Sequence, residues 1–172
     1  MNDGKITEVT LDINNLFGLK EQVEALVSLV TELLQSSSAC LLLLDNTGEK
    51  LNVVSGKSFS KNSRSTDLSV DIQNPAIDQL IRKGEAIIRD DSVAESVVKE
   101  LLAEVNGDID PEDIDIILPL ISSDRLIGIL LFERRDSGDY TSKEISVLND
   151  IAARLAPGME KEYLREQLSE RQ

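Results

Sequence analysis

The chain has 172 residues, 41% hydrophobic and 29% charged, with a formal net charge of −14. That length fits one domain with helical extensions, and the acidic balance disfavours nucleic acid and anionic membrane as partners. There is no histidine and one cysteine, Cys40, which excludes an internal disulfide and disfavours zinc, whose usual ligands are missing.

Residues 1–15 read as a lead-in, and the alternation from Val9 to Ile13 suits a short strand there. The start lacks an apolar signal core, and no run approaches the ~18 apolar residues of a membrane span, so a cytoplasmic protein is expected. The domain is expected over 16–168, with 169–172 as a disordered tail. Leu16, Leu19, Val23, Leu26, Val30 and Leu33 are spaced 3, 4, 3, 4, 3, which predicts a helix over 16–36 with one apolar seam. Val27 and Leu34 widen the stripe. Such a seam fits a partner helix, and the wider stripe fits a domain surface.

Ser38 to Asp45 reads as a buried strand, Asn46 to Glu49 as a hairpin turn and Lys50 to Phe59 as a second strand. Residues 60–66 form a serine-rich loop. Asn74 and Pro75 start a helix that Gly84 ends. Glu85 to Arg89 is a short strand. Asp91 or Ser92 caps a further helix to about Val105, and 108–115 is an acidic connector. Asp115–Ser122 and Arg125–Arg134 are strands joined by the tight turn Ser123-Asp124. Thr141 to Glu144 is a capping box, opening a last helix over 141–168. Its seam is Ile145, Leu148, Ala152, Leu155 and Met159, and Pro157 should kink or divide it. The order predicts an α+β domain: a central antiparallel sheet of about five or six strands with flanking helices, the N- and C-terminal helices packed together.

Several stretches invite a functional reading. Gly56-Lys57-Ser58 lacks the earlier glycine of a phosphate loop, since position 51 is leucine. The stretch 52–66 carries Lys57, Lys61 and Arg64 with no acid, plus Ser55 and other hydroxyls. It reads either as a solvated loop or as an attractor of an anionic ligand. The five carboxylates of 108–115 suit a solvated connector better than a calcium loop, lacking the glycine and distant glutamate. Asp90, Asp91 and Ser92 precede a helix, where they either cap it or leave its amides to an anion. Phe59 and Phe132 are the obvious stacking candidates, although strand aromatics usually belong to the core. Pro119 interrupts a greasy strand and suits a bulge or a strand end facing a pocket; Gly128 permits close approach of chain or ligand. Cys40, inside Ala39-Cys-Leu-Leu-Leu-Leu44, reads as a buried small hydrophobe.

Four pieces together resemble a GAF domain, the small sensory module of many signalling proteins: Ala39–Gly48; Ala86-Ile-Ile-Arg-Asp-Asp91; Leu118-Pro-Leu120 followed by Arg125–Leu130; and Tyr140–Leu148. The resemblance implies a central sheet with the terminal helices on one face and a small-molecule pocket on the other. By that likeness the pocket takes in Ser55, Lys57, Phe59, Lys61, Arg64, Asp91, Ser92 and Pro119. It also implies a homodimer through Leu16, Leu19, Val23, Leu26, Val30 and Leu33 and through Leu148, Ala152, Leu155 and Met159. The cyclic-nucleotide motif of some members is not found. Bilin-binding members use a pocket cysteine usually followed by histidine, and haem would lack histidine, its common axial ligand. The methionine-sulfoxide reductases of this fold use several cysteines. The expectation is a regulatory, non-enzymatic domain that signals to a separate protein, or else a ligand-free dimeric adaptor.

Overall fold

The structure, a computed structural model, describes residues 3–16, 18–36, 39–57, 69–103 and 111–170. Five helices are present among them: α1 (Asp3–Asn14), α2 (Leu19–Leu34), α3 (Pro75–Lys83), α4 (Ala94–Leu102) and α5 (Ser142–Glu170). The strands are β1 (Ala39–Leu44), β2 (Lys50–Lys57), β3 (Ser69–Asp71), β4 (Ile87–Ile88), β5 (Ile114–Ser122) and β6 (Arg125–Glu133). They form one antiparallel sheet in the order β3-β2-β1-β6-β5-β4. The α+β class and the contact between the terminal helices match the expectation, since α1 packs on α5 and α2, and α5 packs on β5.

Every residue of β1 is buried, as is the run Leu126–Phe132 of β6. The register puts Leu41, Leu130 and Leu118 in one row, with Leu43, Gly128 and Leu120 in a row two residues on. A Cβ on Gly128 would stand 2.7 Å from the Leu42 carbonyl oxygen and 2.8 Å from Leu43 Cδ2. Glycine there lets two strands and a leucine close up; its close neighbours are parts of this chain.

Pro119 finds a simple place. Among the described residues β4 pairs with β5 only at Ile116 and Ile117, so beyond Ile117 β5 has β6 on one side and no described strand on the other. A missing N–H is tolerated at such an edge. The register shifts lie elsewhere, between Ile114 and Ile116 and between Leu120 and Ile121. The expected tight turn is present: Ser123 and Asp124 take φ of 54° and 61°, the left-handed pair of a two-residue hairpin.

Four expectations change. Residues 3–14 form helix α1, not a strand, because Ile6, Val9 and Ile13 lie on one helical face; Ile6 and Ile13 are buried while Leu11 is 57% exposed. The helix expected from 16 begins at Leu19, leaving Leu16 outside it and exposed. Helix α4 has Val93, not Asp91 or Ser92, at its N-cap. Pro157 does not divide the last helix, which runs unbroken to Glu170, into the expected tail. Proline at 157 removes one helical donor, and glycine at 158 leaves room beside it. Asn14 of α1 fills that room: its Nδ2 donates to the Arg154 carbonyl at 3.1 Å, and a Cβ on Gly158 would meet Asn14 Oδ1 at 2.4 Å.

Candidate functional site

The ends of β4 and β5 carry charges that the middle of the sheet lacks. Asp115 is the extra residue at the first register shift of β5, and it is buried. Bulges re-aim side chains at sheet margins. Arg89, just beyond β4, donates its backbone N–H to the Asp115 carbonyl at 2.9 Å and reaches the Asp115 carboxylate with Nη1 at 3.4 Å. Its Nη2 donates to the Glu112 carbonyl, and Arg134 Nη2 approaches the same oxygen at 3.4 Å. Burial pushes the Asp115 carboxyl above the usual range, and the Arg89 and Arg134 charges pull against that shift.

Two cavities open on either side of Arg89. One, of about 390 Å³, is lined by Ala94, Glu95, Val98 and Lys99 of α4 with Arg89, Glu112 and Ile114. Lys99 is paired to Glu95 at 2.9 Å, so both cations of this cavity already face an acid. The walls Ala94, Val98 and Ile114 are apolar. The other cavity, of about 100 Å³, is lined by Ile88, Arg89, Asp90, Asp115, Ile116, Asp139 and Tyr140. Such an arrangement suits a small molecule with an apolar body and one hydrogen-bonding end, and does not offer an uncompensated cation to an anion.

The expected pocket residues whose side chains are described, Asp91, Ser92 and Pro119, lie apart from this site. Asp91 accepts from the Ile88 N–H at 3.0 Å and lies 4.0 Å from Lys83 Nζ, so it folds the turn back instead of capping α4. Ser92 is exposed in the same turn. Pro119 lines a third cavity of about 260 Å³ with Ile81, Ile121, Asn149 and Ala152, beside α5. Ser55 and Lys57 lie on β2 opposite Leu41 and Ala39, and only their backbone is described. Phe59, Lys61 and Arg64 lie outside the described residues, as do 60–66, 104–107 and 108–110 of the connector. Phe132 is fully buried in the core, edge-on to Tyr140 at 6.4 Å.

The expected dimer seam is used inside the chain. Leu19, Val23, Leu26 and Val30 of α2 and Leu148, Ala152, Leu155 and Met159 of α5 are buried in the common core, and Leu33 is half-buried against it. A 3-4 seam reports an apolar stripe without saying what covers it. Here the sheet and the neighbouring terminal helices cover it.

Arg89, Glu112, Asp115 and Tyr140 were not placed in the expected pocket from the sequence. One signal was available: Asp115 is a lone carboxylate within Ile114-Asp-Ile-Ile-Leu118, and a charge inside a buried strand demands a partner.

Comparison with known proteins agrees with this fold. The GAF domain of a phosphoenolpyruvate-protein phosphotransferase from Coxiella burnetii superposes with a TM-score of 0.66 at 18% identity, covering 94% of each chain. The corresponding domain from Acinetobacter gives 0.64 at 14% identity, over 94% of this chain and 95% of that one. A free methionine-R-sulfoxide reductase from Neisseria meningitidis, in complex with its substrate, gives 0.60 at 13% identity over 91% and 87%. At such identities the likeness concerns the fold alone. No curated protein matches the chain. The sequence model of the GAF domain matches residues 19–161, and the chain therefore belongs to the GAF domain family.

Proposed function

We propose that this GAF domain is a regulatory module that takes a small amphiphilic molecule in the cavity between α4 and the β4–β5 end of the sheet. The observation that carries the reading is Arg89, which lines both cavities there and touches Asp115 inside the sheet. Apolar groups of the ligand would lie on Ala94, Val98 and Ile114, and its polar end would meet Arg89, which in turn contacts Asp115. Cys40 supports a non-enzymatic reading: it is fully buried, and burial pushes its thiol up to about 12, so it stays protonated and a poor nucleophile.

A thermal-shift screen of small metabolites, followed by calorimetry on hits, tests the reading. A ligand of this cavity stabilises the wild type and binds at least ten-fold more weakly to Val98→Glu. A hit whose affinity is unchanged by Val98→Glu and by Arg89→Ala overturns the assignment of the cavity.

A second reading, a ligand-free dimeric adaptor, rests on the apolar residues left outside: Leu11 at 57%, Leu16 at 37%, Leu164 at 41% and Leu168 at 64% exposure. A homodimer built on the terminal helices would use these outer faces, since the seam is committed to the core. Light scattering of Leu11→Glu and Leu168→Glu variants tests that dimer, and a metabolite screen without a hit favours the adaptor over the ligand-binding module.

A further inference from the structure

The chain between β6 and α5 converges on one side chain. Arg135 is 10% exposed and makes a two-pronged pair with Glu144, Nη2 to Oε1 and Nη1 to Oε2, both at 2.7 Å. Its Nη1 also donates to the Leu34 carbonyl at the end of α2. Nε and Nη2 hold the Gly138 and Asp139 carbonyls at 2.9 and 3.0 Å. The guanidinium lies 4.3 Å from the centre of the Tyr140 ring. Tyr140 Oη donates to the Glu133 carbonyl at 2.9 Å, and Ser36 Oγ stands 3.4 Å from it.

One planar fork thus joins the last carbonyl of α2, the 138–139 turn and the first turn of α5. Lysine could not replace it, because a single ammonium cannot satisfy a bidentate carboxylate and three carbonyls in one plane. The end of α2 is built to need this partner. Gln35 takes the left-handed conformation, and the N–H groups of Gln35 and Ser36 close onto the Glu32 and Thr31 carbonyls. That motif leaves the Leu34 carbonyl for an outside donor.

The clasp also adjoins the candidate site. Tyr140 and Asp139 line the same small cavity as Arg89 and Asp115. Arg134, one residue before the clasp, donates its N–H to the Asp113 carbonyl at 2.8 Å and shares the Glu112 carbonyl with Arg89.

We infer that Arg135 is the joint through which the Arg89–Asp115 end of the sheet sets the relation of α2 to α5. The ligand-sensing part of this inference rests on the proposed cavity; the joint itself does not. Loosening Asp115 lets Tyr140 and the 138–139 turn shift, and Arg135 then slackens its hold on both α2 and α5.

Amide hydrogen exchange on the full chain tests this without any ligand. Three variants are compared with the wild type: Arg135→Lys, Glu144→Gln and Asp115→Asn. In Arg135→Lys, exchange is expected to quicken at least ten-fold at both 32–36 and 142–147, with β1 and β6 amides unchanged. In Asp115→Asn, a smaller quickening of about three-fold or more is expected at those same two segments. Glu144→Gln, the mildest change at the clasp, keeps the bond to Leu34 and is expected to loosen 142–147 more than 32–36. Quickening confined to 134–141 in Arg135→Lys overturns the joint. A response to Arg135→Lys with none to Asp115→Asn at either segment overturns its coupling to the cavity. Failure of a metabolite screen touches only the proposed ligand and leaves these readings intact.

Discussion

Arg135 and Arg89 each face a carboxylate near the same corner of the molecule, and the two pairs are opposite in character. At the clasp both contacts to Glu144 are 2.7 Å, and the Arg135 hydrogen bonds, followed by those from Thr141, hold the Glu144 carboxyl down at about 2. At the sheet end the single contact from Arg89 to Asp115 is 3.4 Å, and burial outweighs the nearby cations, so the Asp115 carboxyl is raised. The first carboxylate is received by a prepared set of donors. The second has left water without being fully compensated. A taut pair fixes geometry, whereas a slack one leaves a polar group ready for a new partner. That difference is why we place the joint at Arg135 and the receptive site at Arg89.

The contrast can be broken at its taut side first. Arg135→Ala strands the Glu144 carboxylate and the Leu34 carbonyl together. It is expected to lower stability by about 3 kcal/mol, read as a shift in urea midpoint with unchanged slope. The pH dependence comes next. Glu144 is depressed in the folded state, so its contribution is present above the unfolded value of 4.5 and is lost as pH falls towards about 2. A loss on the order of 2 kcal/mol over that window is expected. In Glu144→Gln that slope should flatten.

Asp115 gives the opposite sign. A raised folded value means its stability contribution is full below the unfolded value of 3.8 and falls as pH rises through the folded value. Arg89→Ala removes the leading favourable charge and is expected to cost about 1–2 kcal/mol at pH 7. That deficit should shrink on acidification towards pH 4, as the unpaired Asp115 takes up a proton. A deficit that grows on acidification breaks the reading of Asp115 as a raised carboxyl. The smallest effect lies outside both: Asp124→Gly relieves an exposed residue at φ 61° and is expected to gain about 1 kcal/mol in thermal unfolding.

Much of the fold was legible because its signals are local. The hairpin turn at Ser123-Asp124, the Asn74 cap with its Oδ1 2.9 Å from the Ala76 N–H, and the reciprocal box between Thr141 and Glu144 all appear as expected. Each depends on residues a few positions apart. Most of what was misread depends on partners far along the chain. The apolar stripe of α2 predicts burial, but nothing in its spacing distinguishes a second chain from the sheet of its own. The alternation from Val9 to Ile13 covers too few residues to outweigh the longer helical spacing that begins at Ile6. Pro119 looked awkward because the sequence does not show that β4 stops after two residues. The candidate site was the least visible part. Arg89 and Asp115 stand 26 positions apart, and only a bulge brings them together.

Helix α5 has one more consequence. Its 29 residues span about 43 Å. Near its start Glu144 is pinned by Arg135. Towards its end Tyr163 Oη donates to the Asp45 carbonyl at 2.6 Å, and Gln167 Nε2 donates to the Asn46 carbonyl at 3.0 Å. The helix therefore bridges the two opposite rims of the sheet, like a rod bolted at both ends. A tilt of about 3° about the Glu144 end would carry the far end by about 2 Å, on the length set by the helical rise. That is enough to part the Tyr163 and Gln167 hydrogen bonds. A small tilt at one rim is thereby read as a made or broken contact at the other.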